Sequence, residues 1–170
     1  YDINLKNDRL MNLKKYKKFN FIKMNISNKE GLENIFKIYP IDKVVNLAAQ
    51  AGVRYSLENP NSYIDCNVLG FMNILEACRH NRVKGLIYAS SSSVYGGNNL
   101  VPFSETHNVD NPTSIYAATK KSNELMARCY NNLFGLRSTG LRFFTVYGPW
   151  GRPDMAYYIF TKRISENKNI

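Results

Sequence analysis

Tyr116 and Lys120 stand four residues apart in the segment Y-A-A-T-K, and on a helix that spacing puts both side chains on one face about one turn apart. A phenol ordinarily titrates near pH 10, so it serves as a base at neutral pH only where a nearby cation favours the phenolate. Such pairs also occur on helices with no chemistry to do, and the pair gains meaning from what precedes it. Upstream, Leu86-Ile87-Tyr88-Ala89-Ser90-Ser91-Ser92-Ser93-Val94-Tyr95-Gly96 leads an apolar run into four consecutive serines. Serines close turns and cap helices, but at the carboxyl end of a buried strand their hydroxyls also stand where ligands of α/β sheets lie. Asn67 falls beside an apolar stripe, where a buried amide needs a partner; its bland alternative is an ordinary solvent-facing Asn. Arg152, in a Gly/Pro-rich segment, offers a guanidinium suited to a diphosphate or a carboxylate, and is equally readable as a surface arginine.

The elements that must position these residues alternate in kind. Phe19 to Lys23, Lys43 to Ala48, Lys84 to Ala89 and Ser138 to Phe144 are short, apolar and largely uncharged, the pattern of strands covered on both faces. Between them lie helical periods. Residues 61–80 carry Ile64, Val68, Phe71, Leu75 and Cys78 at steps of four and three, a pattern that predicts one buried face. Residues 114–134 carry Ala118, Leu125, Cys129 and Leu133 in a similar stripe, after a Pro112-Thr113-Ser114 entry that supplies an N-cap. Strands alternating with crossover helices predict an α/β fold with a parallel sheet and right-handed connections. The polar segments Ala49 to Arg54, Ser90 to Gly97 and Thr145 to Met155 each follow a predicted strand directly, at the end where such sheets bind ligands.

Composition narrows the partners. With 170 residues, 44% hydrophobic and 21% charged, the chain has the profile of a soluble globular domain. No apolar run approaches the roughly 20 residues of a membrane span, and the first ten residues, YDINLKNDRL, carry no signal-peptide pattern, so a cytoplasmic protein without membrane partners is expected. Cys66, Cys78 and Cys129 are odd in number and far apart, which predicts neither a disulfide framework nor a metal site; Cys78 and Cys129 read as packing residues. The net charge of +10 raises nucleic acid as a partner. Its densest block, Lys14, Lys15, Lys17 and Lys18, has no aromatic platform around it and reads as a solvated face. A basic surface equally suits an enzyme with anionic ligands, and no nucleic-acid partner is expected.

Y-A-S-S-S-S-V-Y-G followed by Y-A-A-T-K resembles the active site of the extended short-chain dehydrogenase/reductase family, the NAD-dependent epimerases and dehydratases. The further run from Gly140 to Met155, G-L-R-F-F-T-V-Y-G-P-W-G-R-P-D-M, resembles the UDP-glucuronate 4-epimerases within it. The resemblance runs from about Val44 to the end. It implies a Rossmann-like doubly wound parallel sheet, NAD as cofactor and a UDP-sugar as substrate, most specifically UDP-glucuronate converted to UDP-galacturonate through a 4-keto sugar, a step of polysaccharide biosynthesis. It implies that Tyr116 is the catalytic base, that Lys120 holds the nicotinamide ribose while acidifying Tyr116, and that Ser91 bonds the reacting sugar hydroxyl. Leu47, Ala48 and Ala49 would line the adenine and ribose side of the cofactor, Asn67 would brace the site, and Phe144 would pack near the nicotinamide. Ser91, Ser92, Ser93, Thr145 and Arg152 would meet the substrate. A homodimer through the Tyr-bearing helix is implied as well.

Departures from the pattern set further expectations. The family's glycine-rich turn after its first strand and the acidic residue ending its second are absent, and Gly96-Gly97 lacks the strand-loop-helix context to replace the turn. Where relatives often carry Asp-Ile after the third strand this chain has Asn25-Ile26, which would still reach the adenine region without charge. The chain is therefore expected to be a fragment, lacking the first two strands and most of the C-terminal substrate domain, inactive alone. Residues 1–150 would be part of an NAD-binding domain and 151–170 the start of a substrate-binding region. Ser92 and Ser93 stand where sugar 4,6-dehydratases carry Asp-Glu and UDP-glucuronate decarboxylases carry Glu at the second position, so epimerisation is favoured over both, because a serine lacks their acid/base carboxyl. UDP-galactose or UDP-N-acetylhexosamine 4-epimerisation remains the alternative sugar chemistry. A non-catalytic nucleotide-binding fragment is the alternative of another class.

Overall fold

Apolar runs become strands only where they find a ladder partner. In the computed structural model, which describes residues 2–170, the elements in chain order are α1 (Ile3–Lys14), α2 (Lys29–Ile38), β1 (Lys43–Asn46), α3 (Tyr55–Glu58), α4 (Pro60–Tyr63), a π turn (Ile64–Leu69), α5 (Gly70–His80), β2 (Gly85–Ala89), a 3-10 turn (Ser92–Tyr95), α6 (Ile115–Phe134), β3 (Ser138–Leu141) and α7 (Ala156–Ser165). They fall into two units, Met24–Phe144 and the residues up to Lys23 together with Thr145–Ile170.

In the larger unit the three strands form a parallel sheet in the order β1-β2-β3, with Asn46 opposite Tyr88 and Ala89 opposite Leu141. This is the parallel α/β arrangement the alternation predicts. Phe36 from α2, Phe71, Leu75 and Cys78 from α5, and Ala127 from α6 pack with Leu86 and Tyr88 of β2 into one core. A large apolar side chain fully buried there contributes about 1.5–3 kcal/mol. Val45 and Ile87 point the other way, 60% and 40% exposed, so among the described residues the helices cover one sheet face. The β2 to β3 pairing is close: a Cβ on Gly140 would lie 2.6 Å from the Tyr88 ring, so the strand passes the ring only without a side chain there.

Three expectations are corrected. Phe19 to Lys23 forms no strand; it has no ladder partner among the described residues, and Phe21 and Ile22 are half exposed. Residues 61–80 are not one regular helix. The π turn inserts one residue, marked by Gly70 N–H reaching Asp65 O, five residues back, and the upstream stripe shifts with it: Tyr63 and Asn67 are buried where Ile64 and Val68 were expected, and Ile64 is 49% exposed. On α6 the buried positions are Ala117, Thr119, Lys120, Asn123 and Ala127, whereas Leu125 and Leu133 are exposed and Cys129 is not a packing residue. Cys78 is buried as expected.

In the smaller unit Asp2 caps α1 by accepting from Asn4 N at 2.9 Å. Arg9 donates to the carbonyls of Trp150 and Gly151, and Tyr157 on α7 donates to Val146 O at 2.7 Å. No helix among the described residues is long and apolar enough to cross a membrane.

Candidate active site

Helix α6 begins at Ser114, whose Oγ accepts from Ala117 N at 3.1 Å, satisfying a donor that the first turn leaves open. This sets the phase that turns Thr119, Lys120 and Asn123 inward. Lys120 is 4% exposed, and its Nζ donates to Ala89 O, the last carbonyl of β2, at 2.7 Å. Burial pushes the ammonium down to about 8, with the Cys66 thiol acting weakly in the opposite sense. An ammonium has three N–H donors, and this is the one hydrogen bond Lys120 makes among the described residues. Its Nζ lies 6.0 Å from the centroid of the Tyr116 ring. That ring is half-buried and meets Tyr63 edge to face, centroids 6.0 Å apart. Tyr63, fully buried, is fixed in turn by its hydroxyl, 2.6 Å from Gly52 O.

Across from α6, β2 runs into the serines. Ser91 is extended and caps the 3-10 turn: its Oγ accepts from Ser93 N and donates to Ser93 Oγ, both at 3.1 Å. Ser92 N donates to Phe143 O at 2.9 Å, tying the turn to the chain beyond β3. The turn ends at Gly96, where φ is +56° and a Cβ would sit 2.1 Å from Asn111 O. Only glycine fits both conditions. Phe144 stacks loosely with Tyr95 and Phe103, centroids 6.4 and 6.0 Å away.

Asn67 is 2% exposed, so the solvent-facing alternative is excluded. Its Nδ2 donates to Gln50 O at 3.0 Å and Thr119 Oγ1 at 3.1 Å, and its Oδ1 accepts from Gln50 N at 2.8 Å. Thr119 Oγ1 donates to Tyr116 O at 2.8 Å. One amide thus links the segment after β1 to the turn of α6 that carries Tyr116. The Asn67 carbonyl, displaced by the π turn, accepts from Asn123 Nδ2 at 2.7 Å. The π turn is therefore what points Asn67 inward and what gives Asn123 its partner.

Leu47, Ala48 and Ala49 follow β1 beside the end of β2, with Leu47 61% exposed. Asn25 caps a turn by accepting from Ser27 N at 3.0 Å, and Ile26 packs on the core while its carbonyl accepts from Asn73 Nδ2 at 3.0 Å. Thr145 and Arg152 belong to the smaller unit. There the Arg152 guanidinium forks onto Asp154, which holds that carboxyl below its ordinary range.

The sequence reading missed Glu124, Asn123, Arg142 and Tyr63. Glu124 had a readable signal, since it stands four residues after Lys120 as Lys120 stands four after Tyr116, one face of one helix. Its carboxylate accepts from Ser90 Oγ at 2.6 Å and from Arg142 Nε and Nη2 at 3.0 and 2.9 Å. Tyr63 and Asn123 had none, because the π turn decides both.

A parallel α/β sheet with a buried lysine, a tyrosine one turn before it and serine hydroxyls at the neighbouring strand end is the architecture of the short-chain dehydrogenase/reductase class. The chain belongs to the NAD dependent epimerase/dehydratase family, whose model matches residues 3–170. It is 58% identical over 170 residues to the Protein CapI of Staphylococcus aureus, matching all of this chain and 51% of that protein. To UDP-glucuronate 4-epimerase 4 of Arabidopsis thaliana it is 53% identical over 171 residues, all of this chain and 39% of that one. The crystal structure of UDP-glucuronic acid 4-epimerase from Bacillus cereus, in complex with UDP-glucuronic acid and NAD, superposes with a TM-score of 0.88 at 36% identity, covering 98% of this chain and 52% of that one. The chain thus spans between 39% and 52% of the length of these relatives.

Proposed function

We propose that the full-length protein is an NAD-dependent 4-epimerase of UDP-sugars and that its substrate pair is UDP-glucuronate and UDP-galacturonate. The observation that carries the reading is the buried Lys120, anchored to Ala89 O with Tyr116 one turn away and Ser91 two residues past its anchor. The relatives named for UDP-glucuronate support the choice of sugar.

The residues present fit the cofactor. Two N–H donors of Lys120 remain beside Tyr116 once Ala89 O is served, a pair suited to the two hydroxyls of a ribose. Leu47, Ala48, Ala49, Asn25 and Ile26 would form the adenine side, Asn67 would hold the site through Gln50 and Thr119, and Phe144 would lie near the nicotinamide. When bound, NAD supplies the acceptor and donor of the C4 hydride, so there is no net redox change. Tyr116 takes the proton from the sugar's C4 hydroxyl and returns it after the 4-keto sugar has turned over, and Lys120 supplies the counter-charge a phenolate base needs. Ser91 orients that hydroxyl. A 4-keto uronic acid is a β-keto acid prone to lose carbon dioxide; Ser92 and Ser93 would restrain its carboxylate by hydrogen bonds. Residues 1–150 would then be the cofactor part and 151–170 the beginning of the substrate part. The exposed stripe of Leu125, Cys129 and Leu133 on α6 supports a homodimer paired through this helix.

The test is an assay of the full-length protein and its Tyr116→Phe variant with UDP-glucuronate and UDP-galactose side by side, products identified by mass spectrometry. The wild type is expected to convert UDP-glucuronate, and the variant to lose at least about a hundredfold in kcat with its fold intact. Efficient conversion of UDP-galactose with none of UDP-glucuronate would replace the uronate by a neutral sugar, and an active Tyr116→Phe would remove Tyr116 as the base.

A further inference from the structure

Glu124 lies one turn beyond Lys120 on α6 and has no part in the chemistry assigned to Tyr116, Lys120 and Ser91. Its side chain is 17% exposed and that of its partner Arg142 is 18% exposed, surroundings in which a charge persists only when well paired. Burial pushes the Glu124 carboxyl up, but the hydrogen bonds and charge of Arg142 and the hydroxyl of Ser90 outweigh it, leaving the group below its ordinary range and ionised.

The geometry of this carboxylate joins three segments. Oε1 accepts from Ser90 Oγ at 2.6 Å and Arg142 Nε at 3.0 Å, while Oε2 accepts from Arg142 Nη2 at 2.9 Å, the two-pronged fit of guanidinium to carboxylate. Ser90 immediately precedes Ser91. Arg142 immediately precedes Phe143, whose carbonyl accepts from Ser92 N at 2.9 Å. The Arg142 guanidinium also lies 5.0 Å over the ring of Tyr95, the last residue of the 3-10 turn. The serine turn is therefore held at its start through Ser90, at Ser92 through the chain beyond Arg142 and at its end through Tyr95, and two of these three ties run through the Glu124 and Arg142 pair. A bridge that merely fastened α6 to β3 would need Arg142 alone; the short bond to Ser90 has no use in that role.

We propose that Glu124 is a positioning residue of the active site, which sets where the Ser91 hydroxyl stands relative to Tyr116 by holding Ser90 and Arg142 on one carboxylate. The inference rests on the functional reading above, in which Ser91 and Tyr116 share the reacting sugar hydroxyl. A carboxylate that accepts from both partners is required: glutamine at 124 keeps the volume but presents one oxygen and an NH2 to a guanidinium that can only donate.

The test uses the full-length protein, Glu124→Gln, Ser90→Ala and the double variant. Each single change is expected to lower kcat at least about tenfold while KM for the sugar nucleotide stays within about twofold, the signature of lost orientation in the reacting state. Because both changes act on the one carboxylate that joins Ser90 to Arg142, the double variant should lose less than the product of the two single losses. Amide hydrogen exchange should quicken across residues 91–96 in both single variants and stay unchanged in α5, whose side chains form the core. The inference is overturned if both single variants keep wild-type kcat, if their losses multiply in the double variant, or if exchange quickens throughout the domain with a matching loss of folded protein. Ser90→Ala guards against a Glu124→Gln variant that fails to fold. A wild type that turns over neither UDP-glucuronate nor UDP-galactose overturns the functional reading and the inference with it, whereas an active wild type with equally active variants overturns the inference alone.

Discussion

Lys120 carries a cost that the fold must meet, and its size follows from where the side chain lies. Burial lowers the ammonium from the ordinary 10.5 to about 8, a depression equivalent to about 3 kcal/mol. The sign follows from proton counting. Between pH 8 and 10.5 the unfolded chain holds a proton on Lys120 that the folded chain has released, so unfolding takes up protons and stability rises with pH across that window. The cost is present in full below pH 8 and gone above 10.5. Lys120→Met removes the titration, and it also removes the donor on Ala89 O, an offset that does not depend on pH. The unfolding free energy of wild type relative to Lys120→Met should therefore move in favour of wild type by about 2–3 kcal/mol between pH 7 and pH 10. Urea unfolding of both full-length proteins at intervals across that range, without added nucleotide and in a Cys66→Ser background so that the neighbouring thiol does not contribute, measures the difference directly. Parallel stability curves would refute the reasoning. They would mean that water reaches the ammonium in the folded state and that Lys120 is not the desolvated cation its 4% exposure describes.

Two further outcomes test the frame around the site. Gly140→Ala sets a Cβ 2.6 Å from the buried Tyr88 ring, which packs on Phe71 at 5.0 Å, and should lower stability by about 1–3 kcal/mol in thermal unfolding; an unchanged melting temperature would show that β2 and β3 do not approach so closely. Asn67→Ala strips Gln50 of both its partners and should cost about 1–3 kcal/mol, with faster exchange of the Gln50 amide hydrogen as the local reading, and protection of that amide equal to wild type would refute the link.

Much of this protein was written locally. The alternation of short apolar runs with helical periods determined a parallel sheet, because each kind of element has its own period and neither can bury the other's pattern. Ser114 announced the start of α6, and the spacing of Tyr116 and Lys120 placed both on one face, because a cap and a helical turn depend on residues within four of each other. The serines after β2 were visible for the same reason. What the sequence left undecided depends on residues far apart. Phe19 to Lys23 has the composition of a strand, but a strand exists only in its ladder, and no partner lies among the described residues. The π turn cannot be read from the apolar stripe of residues 61–80, since one inserted residue rotates everything upstream of it, burying Tyr63 and Asn67 in place of Ile64 and Val68. On α6 the apolar stripe of Leu125, Cys129 and Leu133 is exposed and the polar face is buried, because Asn67, Ala89, Ser90 and Arg142 bring hydrogen-bonding groups from three other places in the chain to meet Thr119, Lys120, Asn123 and Glu124. Hydrophobic period alone assigns such a face to solvent; only the assembled sheet, by supplying a partner for each of those polar groups, makes it the inner one.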